Sequence, residues 1–347
     1  FPYTTLFRSP FEALIAEARD IVLIGHFNPD GDAVGSVTAA WQYLKTRGKR
    51  ARIILPSPHP ESLAFLEPAE APILICERDL GEARRMVAAA DLLLCLDFNR
   101  LARTEYLEDD ILASPAKKVL IDHHIAAETD RFDLVYSTTD VSSACELLYR
   151  ILLAMPDVAG DPSRLSLRCA ESLYAGMMTD TNNFSNSVSP GTFEMAARLI
   201  ARGVDKNALQ DKVLNCYSVS RTRLMGHMIQ DKMVVLPQYE AAYMLLSNRE
   251  KEQYDFLPGD SEGFVNLPLA IRDVQVSALF TESPDGTYIR VSLRSKSPVN
   301  VNRLAVRSFN GGGHRNASGG RLYIPLEDVP AYFEKALADY PDEEKFS

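Results

Sequence analysis

Six short, almost uninterrupted apolar runs, at 21–25, 51–55, 73–76, 92–96, 119–121 and 134–136, constrain the fold of this chain more than any other feature. Runs this short, apolar at successive positions, suit strands buried on both faces of a parallel sheet. Helical patterns at 33–47 and 81–89 lie between them. This β/α alternation reads as a doubly wound α/β domain. Beyond Ser137 the pattern turns helical, at 143–153, 163–178 and 190–202. Ser189-Pro190 opens the last of these and Gly203 closes it. From Lys232 the texture changes to strands at 233–236, 240–246, 274–281 and 288–294, with turns at Pro237-Gln238 and Pro284-Asp285-Gly286. The expected division of the 347 residues is an α/β domain at 11–204, connecting helices at 205–231 and a smaller α+β domain at 232–347.

Residues 1–9 read FPYTTLFRS, like the translation of a sequencing-adaptor oligonucleotide. Residues 1–10 are therefore set aside as an artefact and expected to be disordered, with the natural start lying outside the chain. No stretch reaches the ~18 apolar residues of a membrane helix. The five cysteines, Cys76, Cys95, Cys145, Cys169 and Cys216, form no C-x-x-C pair and suit reduced thiols in a cytoplasmic protein. A net charge of −10 argues against gripping a long polyanion, though not against a small phosphorylated ligand in a local pocket.

The chemistry is concentrated at the ends of the expected elements. His26-Phe-Asn-Pro-Asp30-Gly-Asp32 follows the first strand, Asp97 follows the run at 92–96, Asp122-His123-His124 follows 119–121, and Asp180 ends a helix. The carboxyl ends of strands form the binding crevice of an open α/β sheet. Three adjacent polar residues closing a buried strand are costly unless they are used. Carboxylates with imidazoles and no thiolate suit Mn²⁺ or Mg²⁺ rather than structural Zn²⁺. Four aspartates, Asp30, Asp32, Asp97 and Asp180, balance two divalent ions, which could activate water and stabilise phosphoryl charge. A fifth segment, Gly311-Gly312-Gly313-His314-Arg315-Asn-Ala-Ser318-Gly319-Gly320, combines close backbone approach with cationic donors. Arg294-Ser295-Lys296 ends a strand nearby in sequence.

In this order, H-x-x-P-D-x-D, an isolated Asp, D-H-H, T-D-T-x-x-F and a glycine-rich ending resemble the DHH phosphoesterase superfamily over nearly the whole chain from residue 11. The chain looks most similar to the nanoRNase/pAp phosphatases. The resemblance implies a catalytic DHH domain and a DHH-associated C-terminal domain with the active-site cleft between them. It also implies a preference for Mn²⁺ and a homodimer. The implied activity is hydrolysis of two- to five-nucleotide RNAs from an end, and removal of the 3′-phosphate of 3′-phosphoadenosine 5′-phosphate (pAp). His26, Asp30 and Asp97 would hold one metal, and Asp32, Asp97, His123 and Asp180 the other, with a hydroxide between the metals attacking phosphorus. Asp122 would orient a ligand and His124 would contact the phosphoryl group. Arg294, Ser295, Gly311, Gly312, Gly313, His314 and Arg315 would bind the far end of the substrate, and Arg103, with Arg100, would reach the phosphate. A clamp on that far end would favour dinucleotides over long strands. The rival readings are a cyclic-di-AMP or pApA phosphodiesterase, a family II pyrophosphatase, a RecJ-type exonuclease, and a nucleotide-binding module without catalysis. The chain lacks the Arg-Lys-Lys cluster of the pyrophosphatases and the length of the RecJ type, and it keeps every expected metal ligand.

Overall fold

A computed structural model describes residues 4–341. The chain divides into two compact units that part between Cys216 and Tyr217. The first unit runs α1 (Thr4–Glu17), β1 (Asp20–Ile24), α2 (Gly31–Thr46), β2 (Arg50–Leu55), β3 (Leu74–Ile75), α3 (Leu80–Ala89), β4 (Leu92–Leu96), α4 (Glu108–Ala113), β5 (Lys117–Asp122) and β6 (Leu134–Ser137). It continues with α5 (Ala144–Ala154), α6 (Leu167–Asp180), α7 (Pro190–Arg202) and α8 (Lys206–Val213). The described backbone begins in α1 at Thr4, within the stretch expected to be disordered; residues 1–3 lie outside the described residues.

Its six strands are all parallel, in the order β3-β2-β1-β4-β5-β6. Alternate side chains of β1 enter different cores. Ile21 and Leu23 pack with α2, α5 and α6, while Val22 and Ile24 pack with α3 and the segment around Phe98 and Leu101. Helices on both faces explain why these strands carry no polar alternation. The strand order reverses between β1 and β4, which is where a doubly wound sheet opens its crevice. α7 starts and stops where Ser189 and Gly203 require: Ser189 and Thr192 form a reciprocal capping box, and Gly203 takes a left-handed φ of 114°. The helix expected at 163–178 begins later. Asp161 caps a separate 3-10 turn at Pro162–Arg164, and Ser166 caps α6.

The second unit holds α9 (Val219–His227), β7 (Val234–Leu236), β8 (Ala241–Leu246), α10 (Asn248–Gln253), β9 (Val276–Glu282), β10 (Ile289–Ser295), α11 (Val301–Ser308), β11 (Gly312–His314), β12 (Ala317–Leu322) and α12 (Val329–Ala338). Its sheet runs β11-β12-β10-β9-β8-β7, antiparallel except for β8 with β9. The glycine-rich segment is therefore not an open loop but a hairpin of β11 and β12. Gly311 is required by the chain itself, because a Cβ there would meet Gly319 O at 1.8 Å. No helix among the described residues is long and apolar enough to cross a membrane.

Candidate active site

The loop after β1, the residue after β4, the end of β5 and the end of α6 converge at the reversal point. The loop is built from unusual backbone. Asn28 adopts φ 52° while its N–H donates to Ser57 Oγ at 2.7 Å, and Asp97 adopts φ 64°. Asn and Asp tolerate this left-handed region better than other side chains, and such strain clusters at functional sites. Asn182 and Asn183, at φ 47° and 52°, carry the turn after Asp180 in the same way.

Two clusters form, sharing Asp97. In the first, His26 Nε2 lies 3.5 Å from Asp97 Oδ2 and 3.9 Å from Asp30 Oδ1. In the second, His123 Nε2 lies 3.5 Å from Asp97 Oδ1, 3.7 Å from Asp32 Oδ2 and 3.5 Å from Asp180 Oδ2. His26, Asp30 and Asp97 could hold one metal ion and Asp32, Asp97 and His123 another, with Asp180 beside the second group. His26 gives the sharpest test of that fit. Its Nδ1 is 2.9 Å from Phe27 O, a pure acceptor, so the ring proton is on Nδ1 and Nε2 presents a lone pair. Nε2 is buried without a hydrogen-bond partner, as is Asp97 Oδ1. A lone pair and carboxylate oxygens facing one another out of water repel, and a cation between them removes the penalty. The donor set therefore fits divalent cations of the Mn²⁺ and Mg²⁺ kind.

The electrostatics agree. Burial, then the charges of Asp97 and Asp180, raise the Asp32 carboxyl well above its usual range, against the opposing pull of His123. Burial would raise Asp97 as well, but in the metal-free molecule His123 and His26, once protonated on Nε2, outweigh it and hold Asp97 well below that range. His123 is raised to about 10: burial lowers it, and the contact with Asp97 and the charges of Asp180, Asp97 and Asp32 prevail. Protons here stand where cations would.

Asp122, fully buried, accepts from His124 through two bonds, Nδ1 to Oδ1 at 2.7 Å and backbone N to Oδ2 at 3.1 Å. His124 Nε2 then faces Arg103 Nη1 at 3.1 Å. Arg103 only donates, so the His124 tautomer carries its proton on Nδ1. Arg100 is exposed beside this turn.

Sequence reasoning missed the support of Asp32. Both its oxygens accept from the amino end of α5, Ala144 N to Oδ2 at 2.6 Å and Cys145 N to Oδ1 at 2.9 Å. The helix terminus favours that negative charge. Glu146, itself fully buried, ties the same end down by accepting from Ser142 N (2.9 Å), Ser142 Oγ (2.6 Å) and Thr192 Oγ1 (2.8 Å). The spacing Ser143…Glu146 was the available signal.

The remaining expected residues belong to the second unit. Arg294 and His314 both stand opposite Ala317 in the sheet register, one on each side of it, and so share a face. Ser295 points to the other face. It is buried, donates to Val299 O at 2.7 Å and accepts from Asn316 at 2.9 Å, so its hydroxyl is used by the fold. Arg315 is exposed at the hairpin turn and donates to Pro298 O. A Cβ on Gly312 would meet only Asn302 Nδ2, at an ordinary contact distance of 3.9 Å, whereas Gly311 and Gly313 are crowded by backbone of their own hairpin. Four cysteines are buried thiols and Cys216 is exposed.

Residues 20–177 match the DHH family N-terminal domain and residues 239–339 the DHHA1 domain, so this chain belongs to the DHH family of phosphoesterases. It is 28% identical to the probable bifunctional oligoribonuclease and PAP phosphatase NrnA of Streptococcus mutans, over 93% of this chain and 97% of that protein. It is 26% identical to the cyclic-di-AMP phosphodiesterase GdpP of Geobacillus thermodenitrificans, over 94% of this chain but 48% of that longer protein. Among solved structures, an exopolyphosphatase-related protein from Bacteroides fragilis superposes with a TM-score of 0.87 at 38% identity, covering 95% of both chains. RecJ of Thermus thermophilus, solved with Mn²⁺, shares the fold at a TM-score of 0.56 and 16% identity, over 98% of this chain and 55% of that one.

Proposed function

We propose that this phosphoesterase hydrolyses short oligoribonucleotides and the 3′-phosphate of pAp, in the cytoplasm and with two divalent cations, Mn²⁺ being the better suited. The observation that carries the reading is the pair of histidine–carboxylate clusters joined by Asp97. His26, Asp30 and Asp97 hold one cation, and Asp32, Asp97, His123 and Asp180 the other. The cations supply Lewis acidity toward phosphoryl oxygens and lower the pKa of water. The chain supplies position and charge. Asp122 fixes the His124 ring, His124 Nε2 accepts from Arg103, and the remaining guanidinium donors of Arg103 are offered to the phosphoryl group. Arg294, His314, Arg315 and the backbone at Gly312 bind the substrate's other end. Similarity to NrnA over nearly the full length of both proteins supports this substrate class.

A second reading, a cyclic-di-AMP phosphodiesterase, is favoured by the match to GdpP across 94% of this chain. A panel of pApA, pAp, cyclic-di-AMP, pyrophosphate and a long RNA, incubated with Mn²⁺ and the protein or its Asp97→Ala variant, separates them. Release from pApA and pAp that is lost in the variant is the expected result. Activity confined to cyclic-di-AMP overturns the substrate and retains the centre, whereas silence throughout overturns both.

A further inference from the structure

The seat formed by His26, Asp30 and Asp97 depends on a single peptide unit, the one joining Phe27 to Asn28. Its carbonyl faces His26 Nδ1 at 2.9 Å, and its N–H donates to Ser57 Oγ at 2.7 Å. A planar trans peptide points these two groups in opposite directions, so one orientation of the plane serves both contacts. That orientation is not the one the backbone prefers, since it puts Asn28 at φ 52°, in the left-handed region. Turning the plane over changes ψ of Phe27 and φ of Asn28 together. Asn28 would return to negative φ, and Phe27 O would leave the imidazole. The Phe27 N–H is itself bonded to Arg103 O at 2.8 Å, which fixes the chain on the amino side of this plane. Ser57 is held firmly on the other side. β1 and β2 are paired through Ile24 and Ile54, so the segments that follow them leave the sheet side by side. The segment after β2 reads Pro56-Ser57-Pro58-His59-Pro60, with a proline at every second position. Proline fixes its own φ and holds the residue before it extended, which makes a stiff arm. The arm is fastened at both ends. Pro56 O accepts from Glu77 N at 3.3 Å, and the His59 ring lies 2.8 Å from Pro60 O and 2.7 Å from Glu67 Oε1. Ser57 itself is buried.

We propose that Ser57 is a positioning residue for the first cation: through the Phe27–Asn28 peptide it sets the tautomer and the direction of His26. The proposal rests on the two-cation reading and adds to it a side chain outside the ligand set. The relay runs from Ser57 Oγ to the Asn28 N–H, from Phe27 O to the His26 Nδ1–H, and out through the Nε2 lone pair. Hydrogen bonds in such a chain polarise one another, each strengthening the next. With the plane turned over, Nδ1 loses its acceptor and the ring proton is free to move to Nε2. There it meets Asp97 Oδ2 at 3.5 Å and Asp30 Oδ1 at 3.9 Å, a favourable contact that closes the seat to a metal ion. The Ser57 hydroxyl keeps the seat open by holding the plane against its backbone preference. The second seat draws Asp32, His123 and Asp180 from α2, the end of β5 and the end of α6, so the effect falls on the first seat.

The test is calorimetric titration with Mn²⁺, in which the native protein should show two binding steps. Ser57→Ala is expected to weaken one step about tenfold and to leave the other as it is. Ser57→Cys, nearly the same shape with a poorer acceptor, carries the same expectation and replaces the alanine variant if that does not fold. Adding Asn28→Gly to Ser57→Ala should recover much of the loss, because glycine takes positive φ as readily as negative and no longer drives the plane over. Ser114→Ala removes another buried hydroxyl, one that donates to Val87 O, and should leave both steps unchanged. Two native-like steps in the Ser57 variants overturn the proposal, as does an equal loss in both steps or the same loss in Ser114→Ala. A loss that Asn28→Gly does not relieve overturns the peptide plane as the link. If the native protein binds two Mn²⁺ ions and the Ser57 variants match it, only the role of Ser57 fails. If the native protein binds fewer than two, the two-cation reading fails and the proposal with it.

Discussion

At the scale of single residues, the centre is organised by which nitrogen of each histidine carries the proton. Phe27 O takes the Nδ1 proton of His26, and Asp122 takes that of His124. Each bond turns Nε2 toward the chemistry, a lone pair in the first case and a partner for Arg103 in the second. Asp122→Asn keeps the shape but removes the charge and offers an amide that can turn its NH₂ toward His124. It is expected to cost about 10–100-fold in kcat while two Mn²⁺ ions still bind. Steady-state kinetics on pAp beside metal counting checks this, and loss of one ion would show that Asp122 is itself a ligand. The ligand residues were legible in the sequence because Asp and His at the ends of apolar runs have no cheaper explanation than use. The asparagines were not. Asn28, Asn182 and Asn183 are there for their left-handed backbone, which residue type alone does not reveal.

At the scale of elements, the carboxylates depend on how closely helices approach. Gly176 in α6 allows that approach to α2 and α5, since a Cβ there would come within 2.3 Å of Cys145 Sγ and 3.0 Å of Asp32 Oδ1. Gly176→Ala is expected to destabilise the protein by about 1–3 kcal/mol and weaken Mn²⁺ binding. Gly226→Ala in α9, with nothing within 4 Å, should instead stabilise it by about 0.5–1 kcal/mol. Denaturant titrations of the two variants decide both, and equal effects would defeat the packing argument. The amino end of α5 offers a second case. Glu146→Ala leaves Ser142 and Thr192 without their buried acceptor, a cost of about 1–3 kcal/mol. Because that end holds Asp32, the variant should weaken one of two Mn²⁺ binding steps in calorimetric titration and spare the other. Stability loss with both steps intact would reduce Glu146 to a structural role. This arrangement escaped the sequence because its contacts to Asp32 are made by backbone N–H groups, which no side chain advertises. The β11–β12 hairpin was missed for a related reason. Glycine has low strand propensity, and what makes Gly311 a hairpin residue is the space left for Gly319, visible only once the strands are paired.

At the scale of the whole molecule, a chain of net charge −10 folds four aspartates into one place, two of them buried. Burial and mutual repulsion oppose that gathering, as the raised Asp32 carboxyl shows, so bound cations should contribute to the stability of the first unit. A ligand at about 100 times its Kd adds about 2.7 kcal/mol for each site. Every proposed metal ligand lies before residue 217, and the second unit has its own core. Scanning calorimetry with Mn²⁺ and with EDTA is therefore expected to move the transition of the first unit upward with metal and to leave that of the second in place. Asp97→Ala should abolish the metal-dependent shift, because Asp97 faces both clusters. In EDTA the same variant should melt lower than the native protein, since His123 and His26 hold the Asp97 carboxyl well below its usual range and would lose that buried partner. A shift that persists in Asp97→Ala would place the cations elsewhere, and a variant as stable as the native protein in EDTA would mean that the histidine contacts of Asp97 contribute nothing to the metal-free fold.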